Sequence, residues 1–170
     1  VDVASGESIP EAVWQALNDP NTIKHAYNAQ FERVCLSKYV DTPASQWQCT
    51  MVHGLYLGLP AGLALLGEAL GLPQEKQKSR TGAALIRTFC VPCRPTKSNN
   101  MRKRTLPQHE PEKWDLFKKY CVQDVETERE IANRLQNFPV PKTEQQLWQV
   151  DQAINDKGVM VDEEFVRSAI

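Results

Sequence analysis

Tyr120 and Asp124 stand four residues apart in "YCVQDVETE", so on a helix they share one face, a turn apart. Far upstream, "NAQFE" sets Asn28 and Glu32 at the same spacing, with Glu32 in the first turn of a helix that follows a strand-like run. Carboxylates from separate elements that converge near the carboxyl end of a strand would suit a hard divalent cation such as Mg²⁺. Two such cations roughly 3.5–4 Å apart activate a water and stabilise the leaving oxygen of a phosphodiester. A neutral tyrosine, with a pKa near about 10, can hydrogen-bond that water. The ingredients fit phosphodiester hydrolysis without completing it, because two divalent cations want more than two carboxylates.

The elements that must position these groups follow from spacing. "PEAVWQALND" predicts a short helix with proline at its entry and Ile9, Val13 and Leu17 at helical intervals. "TIKHAYN" alternates and carries β-branched residues, which predicts a core strand ending at Asn28. "AQFERVCLSKYV" then predicts a helix with an apolar stripe of Phe31, Val34, Cys35 and Lys38/Tyr39. "QWQCTM" reads as a second short strand, followed by helices over 50–58 and 62–70, and "TGAALIRTF" reads as helical. A long helix is expected from Pro111 to Leu135, with proline in its first turn and Glu112 near its positive end. "NFPVPKT" reads as a hinge. The segment after it repeats Leu147, Val150 and Ile154 at helical spacing and stops at Gly158. Residues 1–3 are expected to be the tail of a strand.

A chain of 170 residues with 41% hydrophobic content can bury one sizeable core. Five cysteines, an odd number without scaffold spacing, favour free thiols in a reducing cytoplasm over a disulfide framework. The start has neither the basic nor the apolar region of a signal peptide. "GLYLGLPAGLALLGEALGL" is the most apolar stretch, but Pro60, Glu68 and its glycines point to short buried helices, not a membrane span.

The net charge of −1 conceals a division. From Lys76 to His109 there is no Asp or Glu and there are nine Lys or Arg, while the remainder holds eleven basic and twenty-one acidic side chains. Such a division marks a surface that faces a polyanion; the alternative is a solvated loop. Within it, Arg94, Lys97, Arg102, Lys103 and Arg104 are candidates to track a single-stranded backbone. Cys90 and Cys93 make half of a zinc site with no second half, so loop packing is the expected role. His25 is expected in the core or at the strand edge, His53 has no partner at ligand spacing, and the four tryptophans are expected in the core.

"HAYNAQFERVCLSKY" resembles the second motif of 3′–5′ proofreading exonuclease domains, and "YCVQDVETE" the third, tyrosine-type motif of the DEDD superfamily. With "LIRTFCVPCRPTK" and "KWDLFKKYCVQDVETEREI", the pattern is similar to phage-type family A DNA polymerases, and "WQVDQAINDKGVMVD" resembles the junction where their polymerase domain begins. The resemblance implies an α/β, ribonuclease-H-like exonuclease fold over 1–138, a linker over 139–143 and the start of a polymerase domain over 144–170. It implies that Asp124 ligates a metal, that Tyr120 orients the attacking water and that Asn28 binds nucleic acid. Glu32 falls where most of the superfamily has an aspartate, and its metal role is carried over on that match.

The family's first motif, Asp-x-Glu, has no counterpart in the sequence, so the chain is expected to lack the first strands and half of the metal site. The expected function is part of a DNA polymerase: removal of 3′-terminal nucleotides by two Mg²⁺ or Mn²⁺ ions in the intact parent, with this fragment inactive alone. The expected partners are a single-stranded 3′ end of a primer–template and a covalently linked polymerase domain, with no membrane. The alternative is a non-catalytic nucleic-acid-holding module of the polymerase.

Overall fold

The computed structural model describes residues 1–73 and 82–170. Lys76, Lys78 and Arg80 of the basic stretch, and Thr81 ahead of "GAALIRTF", lie outside the described residues. In order, the elements are α1 (Glu11–Asn18), β1 (Lys24–Ala26), α2 (Gln30–Leu36), β2 (Trp47–Cys49), α3 (Thr50–Tyr56), α4 (Leu63–Ala69), α5 (Gly82–Cys90), α6 (Pro111–Leu135), α7 (Lys142–Lys157) and α8 (Glu163–Ala169). None of the described helices is long and apolar enough to cross a membrane.

The strands pair in parallel, with Lys24 opposite Trp47, His25 opposite Gln48 and Ala26 opposite Cys49. Parallel neighbours need a crossover, and α2 provides it. Alternation then separates the two faces. Trp47 and Cys49 are buried while Gln48 between them is exposed. Lys24 is buried too, because its ammonium donates to the Asp19 carbonyl at 3.0 Å and to Gln46 Oε1 at 2.8 Å.

Two apolar clusters hold the elements together. Leu63, Leu66 and Leu72 pack on Ile131 and Leu135, fixing α4 to the second half of α6. Ala29, Trp47, Cys49 and Trp148 join the turn after β1, strand β2 and helix α7. On the first half of α6, Phe89 of α5 meets Trp114 edge-on at 5.0 Å and stacks on Phe117 at 5.6 Å. Beyond the proline-bounded hinge, α7 adds a hydrogen bond from Gln145 Nε2 to the Trp47 carbonyl at 2.9 Å. Helix α8 is exposed throughout.

Three expectations are corrected. Residues 3–5 form a single 3₁₀ turn, not the tail of a strand, because Asp2 caps it through the Ser5 amide and hydroxyl. Asp2 also accepts from Trp114 Nε1 at 2.7 Å and pairs with Lys118 at 3.5 Å; these bonds, Ser5's first, pull its pKa down to about 2. Helix α2 ends at Leu36, and its apolar stripe faces outward, with Phe31, Val34 and Cys35 exposed, as is Tyr39 beyond it. The buried residue is Arg33, whose guanidinium grips both carboxylate oxygens of Asp156 at 2.7 and 2.6 Å and also reaches Gln152 Oε1. In α7, Leu147, Val150 and Ile154 are exposed, whereas Trp148 and Gln152 face inward. In both helices the spacing was readable, but the inward face was chosen by what the neighbour offered: a large indole and a charged pair filled the interface. Of the tryptophans, Trp47 and Trp148 are buried and Trp14 and Trp114 only partly so.

Candidate active-site cleft

Strand β1 stops at Ala26, and the chain reverses through Tyr27, Asn28 and Ala29 into α2. Asn28 adopts φ 61°, a left-handed conformation that asparagine tolerates better than most side chains. Its carbonyl accepts from the Phe31 amide at 2.9 Å, which starts the helical turn and sets Glu32 within it. The Tyr27 hydroxyl donates to the Ala61 carbonyl at 2.7 Å and pins this turn against the approach to α4.

From the other side comes α6. Its stripe of Tyr120, Asp124 and Glu128 steps one turn at a time toward the same turn. Asn28, Glu32, Asp124 and Glu128 line one cleft of about 480 Å³, with Met51 and Leu63 among its apolar walls. Thus Glu32 and Asp124, far apart in the chain, are brought together at the carboxyl end of β1. Glu128 is held in place by the Thr50 hydroxyl, which donates to its Oε1 at the start of α3.

The cleft stores electrostatic stress. Burial, then the charge of Glu128, raises the Glu32 pKa, and Glu32 Oε2 is buried with no hydrogen-bond partner among the described residues. Burial also pushes the Tyr27 phenol up to about 12, so it stays neutral. An all-oxygen donor set around a stressed carboxylate suits a hard divalent cation. The fit is partial: among the described residues, no three His, Cys, Asp or Glu side chains are gathered closely enough to hold one ion.

Tyr120 lies one turn before Asp124 but is not among the residues lining the cleft. It is buried, parallel to Phe117 at 6.2 Å, with its ring against Gly82, where an added Cβ would come within 2.1 Å of the ring. Arg94, Lys97, Lys103 and Arg104 are exposed and Arg102 is partly buried, all on the loop between α5 and α6. His25 is exposed and lines both the carboxylate cleft and a second cavity of about 520 Å³ under α7, shared with Gln48 and His53. His53 has a tertiary partner after all, the Phe138 carbonyl at 2.7 Å. All five cysteines are free, and Cys93 donates to the Arg102 carbonyl at 3.4 Å.

Sequence reasoning missed Glu128 and Tyr27. The signal for Glu128 was present, since it extends the four-residue spacing of Tyr120 and Asp124 by one step. Nothing in the spacing marked Tyr27, because its place depends on the loop around Ala61.

Across 173 aligned residues covering the whole chain, the sequence is 50% identical to a DNA polymerase of Bacillus phage SP02. The chain is similar to one segment of a phage DNA polymerase. It spans 26% of that protein's length. No protein-family model matches the chain, and no solved structure matches it. The segment that matches the phage polymerase includes every residue of the carboxylate cleft.

Proposed function

We propose that this segment carries the 3′–5′ proofreading exonuclease site of a phage-type family A DNA polymerase, on a ribonuclease-H-like α/β fold, acting in the host cytoplasm. One observation carries the reading: Glu32 from the first turn of α2 and Asp124 from α6 face a single cleft. The similarity of the whole chain to a phage DNA polymerase supports it.

In this reading Glu32 and Asp124 hold Mg²⁺ or Mn²⁺, and Glu128 adds negative charge one turn further along α6. Bound divalent ions supply charge stabilisation at the scissile phosphodiester and a more acidic water. The protein's own groups bind and orient. Asn28, exposed in the cleft, is assigned to the 3′-terminal nucleotide. Tyr120 is assigned to positioning the attacking water; its ring packs on Phe117 and Gly82 one turn before Asp124 and does not line the cleft, so that role requires the hydroxyl to turn toward it. Met51 and Leu63 supply the apolar part of the cleft wall beside these groups.

A second reading, a nucleic-acid-holding module without catalysis, is favoured by one observation: no three metal-capable side chains gather among the described residues. The two readings separate in a chimera. This segment, wild type or Asp124→Ala, replaces the matching quarter of the SP02 polymerase, and Mg²⁺-dependent release of 3′-terminal nucleotides from single-stranded DNA is followed. The exonuclease reading expects trimming by the wild-type chimera and a loss on the order of a thousandfold with Asp124→Ala, equivalent to several kcal/mol of lost charge stabilisation. Tyr120→Phe is expected to lose less, because both carboxylates remain. Equal trimming by the wild-type and Asp124→Ala chimeras rejects the role of Asp124, and no trimming by either favours the inert module.

A further inference from the structure

The loop between α5 and α6 is a built object. At its base, the Cys93 amide donates to the Lys103 carbonyl at 2.9 Å and the Cys93 thiol to the Arg102 carbonyl at 3.4 Å. At its tip, Thr96 and Asn99 cap one another: the Thr96 amide donates to Asn99 Oδ1 at 2.9 Å and the Asn99 amide to Thr96 Oγ1 at 3.3 Å. Asn99 Nδ2 then reaches back to the Arg94 carbonyl, and the Met101 amide to the Thr96 carbonyl. Asn100 and Met101 take successive left-handed conformations, φ 54° and 56°. A methionine persists there only when its surroundings over-determine the backbone. The fold of this loop therefore comes from its own hydrogen bonds and not from apolar burial.

On that frame sit Arg94, Lys97, Arg102, Lys103 and Arg104, and none of the five makes an ion pair with a described residue. The Arg102 Nε is buried without a hydrogen-bond partner among them. Arg94, Lys97, Lys103 and Arg104 are exposed, and a phosphate oxygen is an acceptor that their guanidinium and ammonium groups match well. Five cations without local counter-charge repel one another, and a polyanion relieves that repulsion. From Val91 to Gln108 the segment has no aromatic residue, so it offers phosphate contacts and no stacking platform for bases.

We propose that residues 93–104 form a preformed clasp for the phosphodiester backbone of a single-stranded nucleic acid, gripped by the exposed Arg94, Lys97, Lys103 and Arg104 with Arg102 at their base. That the backbone is single-stranded rests on the exonuclease reading of the cleft. The loop leads through Thr105–Glu110 directly into α6 at Pro111, and Asp124 lies about 20 Å further along that helix at 1.5 Å per residue. A strand that ends in the cleft and runs back along α6 would meet the clasp upstream of its 3′ terminus.

The test is equilibrium binding of the 170-residue chain to fluorescein-labelled oligothymidylates in EDTA, read by fluorescence anisotropy across a salt titration. With three phosphates engaged, log affinity falls against log salt with a slope of about −2. The triple variant Arg94→Ala, Lys97→Ala, Lys103→Ala is expected to flatten that slope and to weaken binding about tenfold or more near 50 mM salt. Arg102→Lys, which keeps the charge and loses the fork, is expected to weaken binding at unchanged circular-dichroism melting. Affinity is also expected to rise with oligonucleotide length until the strand spans cleft and clasp, then level. A slope near zero for the wild type, or one unchanged in the triple variant, overturns the clasp. A duplex that competes as strongly as the single strand overturns its specificity. Because EDTA removes catalysis, a chimera that fails to trim beside a chain that still binds with the expected slope rejects only the exonuclease reading. Trimming beside a flat slope rejects only the clasp.

Discussion

Glu32, Asp124 and Glu128 reach one cleft from two helices far apart in the chain, whereas Arg94 to Arg104 share one short loop tied by its own backbone. The cleft concentrates negative charge in a partly buried space, where burial and then the Glu128 charge make Glu32 harder to ionise. The loop spreads positive charge over an exposed surface, where water screens most of the repulsion. An acidic cleft alone repels a polyanion, so a cleft that is to receive a DNA end needs a cationic surface elsewhere to hold the strand. The two regions also depend on different things: the cleft on tertiary packing, the loop on local hydrogen bonds.

The sharpest way to break this contrast is to damage the packing. Ile131 is fully buried between α6 and α4. Ile131→Ala is expected to cost about 2–5 kcal/mol, measured by urea unfolding. Hydrogen exchange should then show faster exchange in the second half of α6 and around Asn28, with the Cys93, Asn99 and Met101 amides little changed. Equal acceleration in the loop would show that its order is borrowed from the core.

A smaller effect is expected at the link between α2 and α7. Asp156→Ala leaves the buried Arg33 guanidinium without its bidentate partner. Because the Asp156 side chain is 44% exposed, the expected loss is discounted to about 1–2 kcal/mol. It should loosen α2, next to Glu32, and leave oligonucleotide binding by the loop unaltered. A thermal melt with and without the substitution, paired with the anisotropy assay, checks both halves.

The mildest change should raise stability. The Glu32 pKa is lifted above its ordinary 4.5, so the folded state holds this proton more tightly than the unfolded chain does. Stability tied to Glu32 is therefore complete below about pH 4.5 and declines as pH rises through the lifted value. Glu32→Gln removes that penalty. In EDTA it is expected to raise Tm by about 2–4 °C at pH 7 and by nothing below pH 4. Millimolar Mg²⁺ should raise the wild-type Tm more than that of Glu32→Gln, through binding to the folded state. Melts identical in EDTA and Mg²⁺ would argue that this chain alone holds no cation in the cleft.

Much of the architecture was legible because local rules governed it. The long helix runs from Pro111 to Leu135 as proline placement and spacing indicated, and both strands fall within the alternating runs. Asn28 and Glu32 were legible as a strand-to-helix turn because asparagine accepts the left-handed conformation that such a reversal needs. The outward-facing stripe of α2 and the buried Arg33 were not, since helical spacing defines a face without saying which neighbour covers it. Tyr120 teaches the same lesson: its distance from Asp124 along α6 was certain, while the wedge against Gly82 that holds its ring depended on how α5 lies across that helix.

The amino-acid sequence by itself determined the elements, the charge division and the pairing of Asn28 with Glu32 and of Tyr120 with Asp124, because these depend on neighbours within a few residues. Only the tertiary structure decided that Glu32 and Asp124 share a cleft, that Glu128 joins them and that α7 folds back onto β2 through Trp148. Those outcomes rest on contacts between distant segments, whose strength depends on which surfaces meet, and no local periodicity encodes that choice.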